Sequence, residues 1–151
     1  MTLIHNIRES KNYRSDLSFV AVDDEQHIVG HIMLSHCEIV ESKDSNDMVA
    51  RVLTLSPLCV SVDSQKLGVG SALIKHSLDV ARNSQENIVI LEGSPDYYTK
   101  FGFVPLSTYS ITMDLPSWAP PEAAMINVLA SNIPVAKGHV KYPEAFGHLE
   151  H

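Results

Sequence analysis

The chain is short of cations, cysteines and long apolar runs, and each shortage closes off a class of function. Lys and Arg number 11 against 18 Asp and Glu, for a net charge of −7. That balance argues against a nucleic-acid partner, because a phosphate backbone is held by clustered cations. A single phosphate group is a different matter, since backbone amides can hold it. Cysteine occurs only at positions 37 and 59, with no Cys-x-x-Cys. A disulfide scaffold and a cysteine zinc site are thereby disfavoured, and a reduced, cytoplasmic setting is the default expectation. No uncharged apolar run approaches the roughly 20 residues of a membrane span, so no membrane partner is expected. Met1-Thr2-Leu3-Ile4-His5-Asn6 has neither the basic start nor the apolar core of a signal peptide. His27, His31 and His36 lack the His-Glu-x-x-His spacing of a helical metal pair, and no metal is assigned.

What is present reads as one globular domain. The 151 residues are 44% hydrophobic and 19% charged, enough to bury a core of their own. The domain is taken as residues 1–148; Leu149-Glu150-His151 resembles the start of a purification tag and is set aside. Leu3 to Asn12, with Leu3, Ile4 and Ile7 on one side, predicts a short amphipathic helix. Ser18 to Val22 and Ile28 to Val40, joined by the polar Asp23-Asp24-Glu25-Gln26, predict an antiparallel hairpin. A solvated loop, Glu41 to Asp47, leads to a strand over Val49 to Val62. Pro57 sits inside that strand. Proline cannot donate to a sheet ladder, so a bulge or edge distortion is expected there, and such distortions gather beside binding sites.

A glycine-bearing segment, Ser64-Gln65-Lys66-Leu67-Gly68-Val69-Gly70-Ser71, follows and runs into helical periodicity up to about Asn83. Ile88 to Leu91 is continuously apolar, as a strand covered on both faces would be. Strand, glycine turn, helix and strand make a βαβ unit, for which a right-handed crossover is the rule. Tyr97 to Lys100 reads as one helical turn, Phe103-Val104 as the start of a strand, Trp118 to Pro121 as a loop and Ala123 to Leu129 as a strand. Gly138 to Gly147 shows no period that assigns it.

Chemistry concentrates in the glycine turn. Gly68 and Gly70 let a ligand approach the backbone, and the first N–H groups of the following helix are unpaired and partly positive. The combination suits a phosphate or pyrophosphate, although a plain strand-to-helix turn would look the same. A Walker loop needs Gly-Lys-Ser/Thr, but Gly70 is followed by Ser71-Ala72; a dinucleotide fingerprint needs a third glycine where Leu73 stands. What remains is Gln-x-x-Gly-x-Gly, on Gln65, Gly68 and Gly70.

This segment resembles the acyl-CoA pyrophosphate loop of the GNAT superfamily of N-acetyltransferases. Pro57 to Val62 is similar to that family's splayed strand, and Tyr98-Thr99-Lys100-Phe101-Gly102-Phe103 to its Tyr-x-x-x-Gly-Phe signature. Val140 to Phe146 is similar to a bacterial subgroup of predicted acetyltransferases. The resemblance implies an α/β (mixed α+β) fold. Its central sheet is mixed and mostly antiparallel, with a splayed parallel strand pair flanked by helices. The family places a strand and a helix ahead of the segment that opens this chain, so both are expected to be missing. Their absence would expose a sheet edge and make a homodimer a candidate assembly.

The resemblance also implies roles. Acetyl-CoA is the cosubstrate, and a small-molecule or peptide amine is the acceptor. Leu58, Cys59, Val60 and Val62 line the acetyl and pantetheine arm, and the amides of Gln65, Lys66, Leu67, Gly68, Val69, Gly70 and Ser71 hold the pyrophosphate. Tyr98 protonates the departing CoA thiolate, a role open to a hydroxyl of pKa near 10. Tyr97 is expected to pack beneath the Phe101-Gly102-Phe103 turn, and Cys59 to be a small buried hydrophobe rather than a nucleophile. His36 and Glu38 are weak candidates for a base. The rival reading is a non-catalytic acyl-CoA-binding or regulatory module.

Overall fold

The computed structural model describes residues 2–131 and 133–146. Gly147 and the tag-like Leu149-Glu150-His151 lie outside the described residues. The elements, in chain order, are helix α1 (Thr2–Arg8), strands β1 (Ser18–Val22), β2 (Ile28–Val40) and β3 (Met48–Val60), helix α2 (Val69–Asn83), strand β4 (Ile88–Glu92), the short helix α3 (Pro95–Tyr98), and strands β5 (Val104–Pro105), β6 (Ile111–Thr112), β7 (Ala124–Val128) and β8 (Gly138–Lys141). Single turns of 3-10 helix punctuate the connections, among them Val62–Ser64 and Thr99–Phe101. Among the described residues no helix is long and apolar enough to cross a membrane.

One eight-stranded mixed sheet organises the chain, in the order β5-β7-β4-β3-β2-β8-β6 with β1 on β2. The pairs β3/β4 and β6/β8 are parallel and the rest antiparallel. Side-chain alternation sorts the apolar residues between two faces. On one face, Leu53 and Leu55 of β3 and Val89 and Leu91 of β4 meet Leu73, Ile74, Leu78 and Ala81 of α2. On the other, Val52, Ile88, Ile90, Ile126 and Val140 meet Leu106 and Ile111. A third cluster clamps α1 to the tail through Ile7, Met33 and Phe146. β4 is buried on both faces, as its unbroken apolar run predicts.

The expected hairpin, the helix ending at Asn83 and the turn near Tyr97 all form. Two expectations need correction. The strand holding Pro57 ends at Val60 rather than Val62, because the chain turns into a 3-10 helix at Val62, whose side chain is 83% exposed. The stretch from Gly138, unassigned by periodicity, supplies β8, which pairs Val40 with His139 and Glu38 with Lys141. β1 covers the first half of β2 and β8 the last part, so two short strands share the edge of one long one. A strand four residues long carries too few alternations to reveal itself in sequence.

Gly138 explains how β8 seats so closely. A Cβ there would collide with the Val40 carbonyl oxygen and lie 2.8 Å from Ile39 Cγ2. Gly138→Ala is therefore expected to lower the urea midpoint by at least the equivalent of about 1 kcal/mol. In unstrained backbone the same change stabilises by about 0.4–1 kcal/mol, so the sign of the shift is the test.

Candidate active site

The site begins where two parallel strands part. β3 and β4 pair only at Leu53 with Val89 and Thr54 with Ile90. Beyond those pairs β3 stays with β2 as far as Val60, opposite Gly30. β4 stays with β7 as far as Glu92, opposite Ala124. The departure coincides with a bulge: between the pairs Ile32–Leu58 and Leu34–Leu55, β3 sets Ser56 and Pro57 against Met33 alone. The Ser56–Pro57 peptide is cis. The distortion expected from Pro57 is thus present at the mouth of the gap. A bulge bends the strand that carries it and re-aims the residues beyond.

The glycine turn closes the α2 side of the gap. Gly68 takes φ +85° and is the residue before α2, a left-handed conformation that costs glycine little and other residues more. Lys66 is also left-handed, with φ 67°. Gln65 Nε2 donates to the Val60 carbonyl at 3.2 Å, tying the turn to the end of β3. The amides of Val69, Gly70 and Ser71 then open a helix of 15 residues, where no preceding turn accepts their hydrogen bonds. Leu67 and Lys66 are exposed, and Val69, Gly70 and Ser71 are half-buried.

Opposite the glycine turn stands the aromatic group of α3. Tyr98 is half-buried and packs edge-on to Tyr97 at 5.0 Å and to Phe103 at 5.8 Å. Gly93 gives it room, since a Cβ at that position would lie 2.5 Å from Tyr98 Cε2. Burial, and secondarily Tyr97, hold the Tyr98 hydroxyl above its ordinary pKa of 10 and so keep it protonated. Gly102, at φ +95°, ends the turn, and Asn127 Nδ2 donates to the Phe101 carbonyl at 2.9 Å. Tyr97 does pack on Phe101, at 5.5 Å, with Lys100 Nζ 4.5 Å above its ring. Its hydroxyl goes further, however. A Cβ built on Gly70 would lie 2.8 Å from Tyr97 Oη. The glycine turn and the tyrosine signature therefore touch, a contact that no local sequence pattern announces.

Leu58 and Val60 are half-buried along the end of β3, and Val60 Cγ2 comes within 3.6 Å of the Cβ position of Gly70. Cys59 corrects its expectation: it is exposed, while Cys37 is fully buried. Past the bulge β3 has no second sheet neighbour among the described residues, so an apolar sequence context does not enclose it. His36 and Glu38 are not brought to the gap. His36 lies opposite Leu53, where β3 and β4 are still paired. Its Nε2 is 3.4 Å from Arg14 Nη1, and burial and the Arg51 charge hold its pKa below the ordinary 6.5. Arg14 also bonds Glu86 at 2.6 Å and Asp16 at 2.8 Å, which makes this a structural ion cluster.

Sequence reasoning missed the carboxylate that does border the gap. Glu92 closes β4 on the parity of Ile88 and Ile90, the face away from α2. Tyr142 packs on that same face, where burial first, and then the Glu92 charge, raise its hydroxyl pKa. Glu92 and Gly93 border a cavity of about 490 Å³ with the loop around Trp118. A lone Glu after four apolar residues was the available signal.

A sheet whose parallel pair parts beside a helix-opening glycine turn, with a protonated tyrosine opposite, leaves a gap edged by unpaired backbone amides. The family follows from the sequence match. The model of the acetyltransferase (GNAT) family matches residues 3–103, and the chain belongs to that family. Among solved structures it is similar to the GNAT family N-acetyltransferase YhbS of Escherichia coli in complex with CoA, at 22% identity and TM-score 0.80, covering 98% of this chain and 77% of that one. It is similar also to a GNAT family acetyltransferase of Brucella melitensis in complex with acetyl-CoA, at 23% and 0.69, covering 95% and 75%. A third, a histone acetyltransferase HPA2 and related acetyltransferase of Corynebacterium glutamicum, stands at 24% and 0.56, covering 87% and 75%. At these identities the likeness is one of fold. Among curated proteins none matches the chain.

The two thiols give a direct check on the correction at β3. Cys59 is expected to react with a thiol reagent within minutes in native protein. Cys37, buried and with its pKa pushed up first by burial, should react only in denaturant. Titration counting one fast thiol of two is the expected outcome.

Proposed function

We propose that the chain binds acetyl-CoA through the gap between β3 and β4 and transfers the acetyl group to an amine by direct attack in a ternary complex. The parting of the two strands after Thr54 and Ile90 carries this reading. It leaves the backbone of Leu58, Cys59 and Val60 on one wall able to pair with an amide-bearing arm. The amides from Gln65 to Ser71 stand at the same end, where a pyrophosphate meets unpaired N–H groups and the positive end of α2. Val62 takes no part in this wall, since its side chain points to solvent. Tyr97, its hydroxyl at Gly70, is added as a ligand contact.

The chemistry runs across the sheet. The acceptor nitrogen, neutral at the moment of attack, adds to the thioester carbonyl. The C–N bond forms, the C–S bond breaks, and the leaving thiolate takes the Tyr98 proton. An acceptor that arrives as an ammonium first gives one proton to solvent; after attack the nitrogen sheds a second to solvent, and Tyr98 recovers its own proton from solvent as CoA leaves as the thiol. Holding both reactants in one gap removes much of the entropic barrier to their meeting. Tyr98 suits the acid role because burial holds its hydroxyl above its ordinary pKa, which keeps it protonated at neutral pH.

An acceptor amine arriving from the Glu92 face fits the acidity of the chain. The free thiols Cys37 and Cys59 suit a reducing, cytoplasmic setting. A homodimer through the outer side of β1, where Val20 and Val22 are half exposed, is part of the same proposal and is read by sedimentation.

Acetyl-CoA at a hundred times its Kd is expected to stabilise the protein by about 2.7 kcal/mol, or roughly 5–10 °C in Tm. No shift with either acetyl-CoA or CoA overturns the cofactor reading. Tyr98→Phe should lower kcat about 100-fold with little change in the KM for acetyl-CoA. The midpoint of any alkaline fall in wild-type kcat from this acid should lie above pH 10, because burial raises the Tyr98 hydroxyl above its ordinary value. Binding without turnover over a broad amine panel would leave the non-catalytic module.

A further inference from the structure

The cavity beside Glu92 has a chemistry of its own. Its walls are Leu115, Pro116, Trp118, Pro120 and Ala123, with Gly93 at the floor. Among the described residues lining it, Glu92 alone carries a charge. The volume of about 490 Å³ suits a small molecule rather than a folded partner. Gly93 belongs both to this cavity and to the contact with the Tyr98 ring, so an occupant lies within one residue of the reacting centre proposed above.

The cavity is also held in shape. Pro116, Pro120 and Pro121 have fixed φ. The Ala119 N–H donates to the Pro116 carbonyl and the Ala123 N–H to the Pro120 carbonyl, each at 3.0 Å. The Gly93 N–H donates to the Ala123 carbonyl at 2.9 Å and fastens the loop to the end of β4. Trp118 is left 84% exposed on this braced loop. Its ring borders the cavity and is open to a ligand from the solvent side.

We infer that this cavity is the acceptor pocket and that it selects a monocationic primary amine on an apolar, preferably aromatic, body. The inference rests on the acetyl-transfer reading and names its substrate class. Glu92 receives the ammonium, the proline and leucine walls cover the body, and Trp118 lies against it by stacking and cation–π attraction. The same wall chemistry rejects two other classes. An amino acid would bring its carboxylate beside Glu92 with no lining cation to meet it. A polyamine would bury further ammonium groups against carbon. Discrimination thus comes as much from the groups a wrong ligand would leave unpaired as from attraction to the right one.

Trp118 is the single tryptophan of the chain, so its fluorescence reads the pocket directly. Phenethylamine, phenylalanine and spermidine are titrated against the protein, with and without CoA, and each is then assayed with acetyl-CoA by mass detection of the acetylated product. Phenethylamine is expected to change the Trp118 emission saturably, and the other two to do so at least tenfold more weakly. Its kcat/KM should exceed theirs by at least tenfold. Glu92→Gln and Trp118→Phe should each raise the KM for phenethylamine about tenfold and leave the KM for acetyl-CoA unchanged. Equal or better use of phenylalanine or spermidine overturns the inference, as does a silent Trp118 in both titrations. A responsive Trp118 in a protein that acetyl-CoA fails to stabilise removes the acetyl-transfer reading and leaves the amine pocket standing.

Discussion

Everything at the candidate site depends on a mismatch in one ladder. Two residues of β3, Ser56 and Pro57, face one residue of β2. Proline has no N–H to give a neighbour, so the ladder cannot run on unbroken. The strand bends where a flat sheet would have continued its pairing with β4. A gap between parallel strands is costly wherever it leaves backbone donors and acceptors dry. Here β3 remains bonded to β2 and β4 to β7, so only the inward edges are left open. Those edges are the ones a ligand with amide groups of its own can satisfy. The acidic composition does not oppose this, because peptide dipoles and a helix end carry no net charge to be counted.

The two faces of the sheet then divide the labour. Alternation along β4 sends Val89 and Leu91 toward α2, and Ile88, Ile90 and Glu92 away from it. The glycine turn and the tyrosines therefore share one side, and the carboxylate and the Trp118 cavity share the other. The reaction proposed for the gap would draw one reactant from each side. The ion cluster of Arg14, Asp16 and Glu86, with His36, sits beside the paired part of β3, at the end of α2 away from the glycine turn. There it fastens the approach to β1 onto the segment after α2.

Legibility in sequence followed the range of the interaction responsible. The hairpin, α2, β4 and the glycine turn are set by periods and residues inside a single window, and they form as read. The bulge was readable too, since Pro57 states its own incompatibility with a ladder. β8 was not readable, because four residues pair only when β2 offers an edge. Cys59 was misjudged for a related reason: apolar neighbours in sequence mark burial only where a second layer covers them, and beyond the bulge no described strand does. Glu92 passed unnoticed because its meaning depends on which face β4 turns toward a loop 25 to 30 residues onward. The contact of Tyr97 with Gly70 is likewise long-range, and it belongs to two motifs that were each legible alone.

That contact also bears on which substitutions the site tolerates. A side chain at position 70 would have to push the Tyr97 hydroxyl aside. A substitution in the glycine turn would therefore be felt at the tyrosine turn, 27 residues onward in the chain. The two motifs form one steric unit, and neither can be altered as if it stood alone.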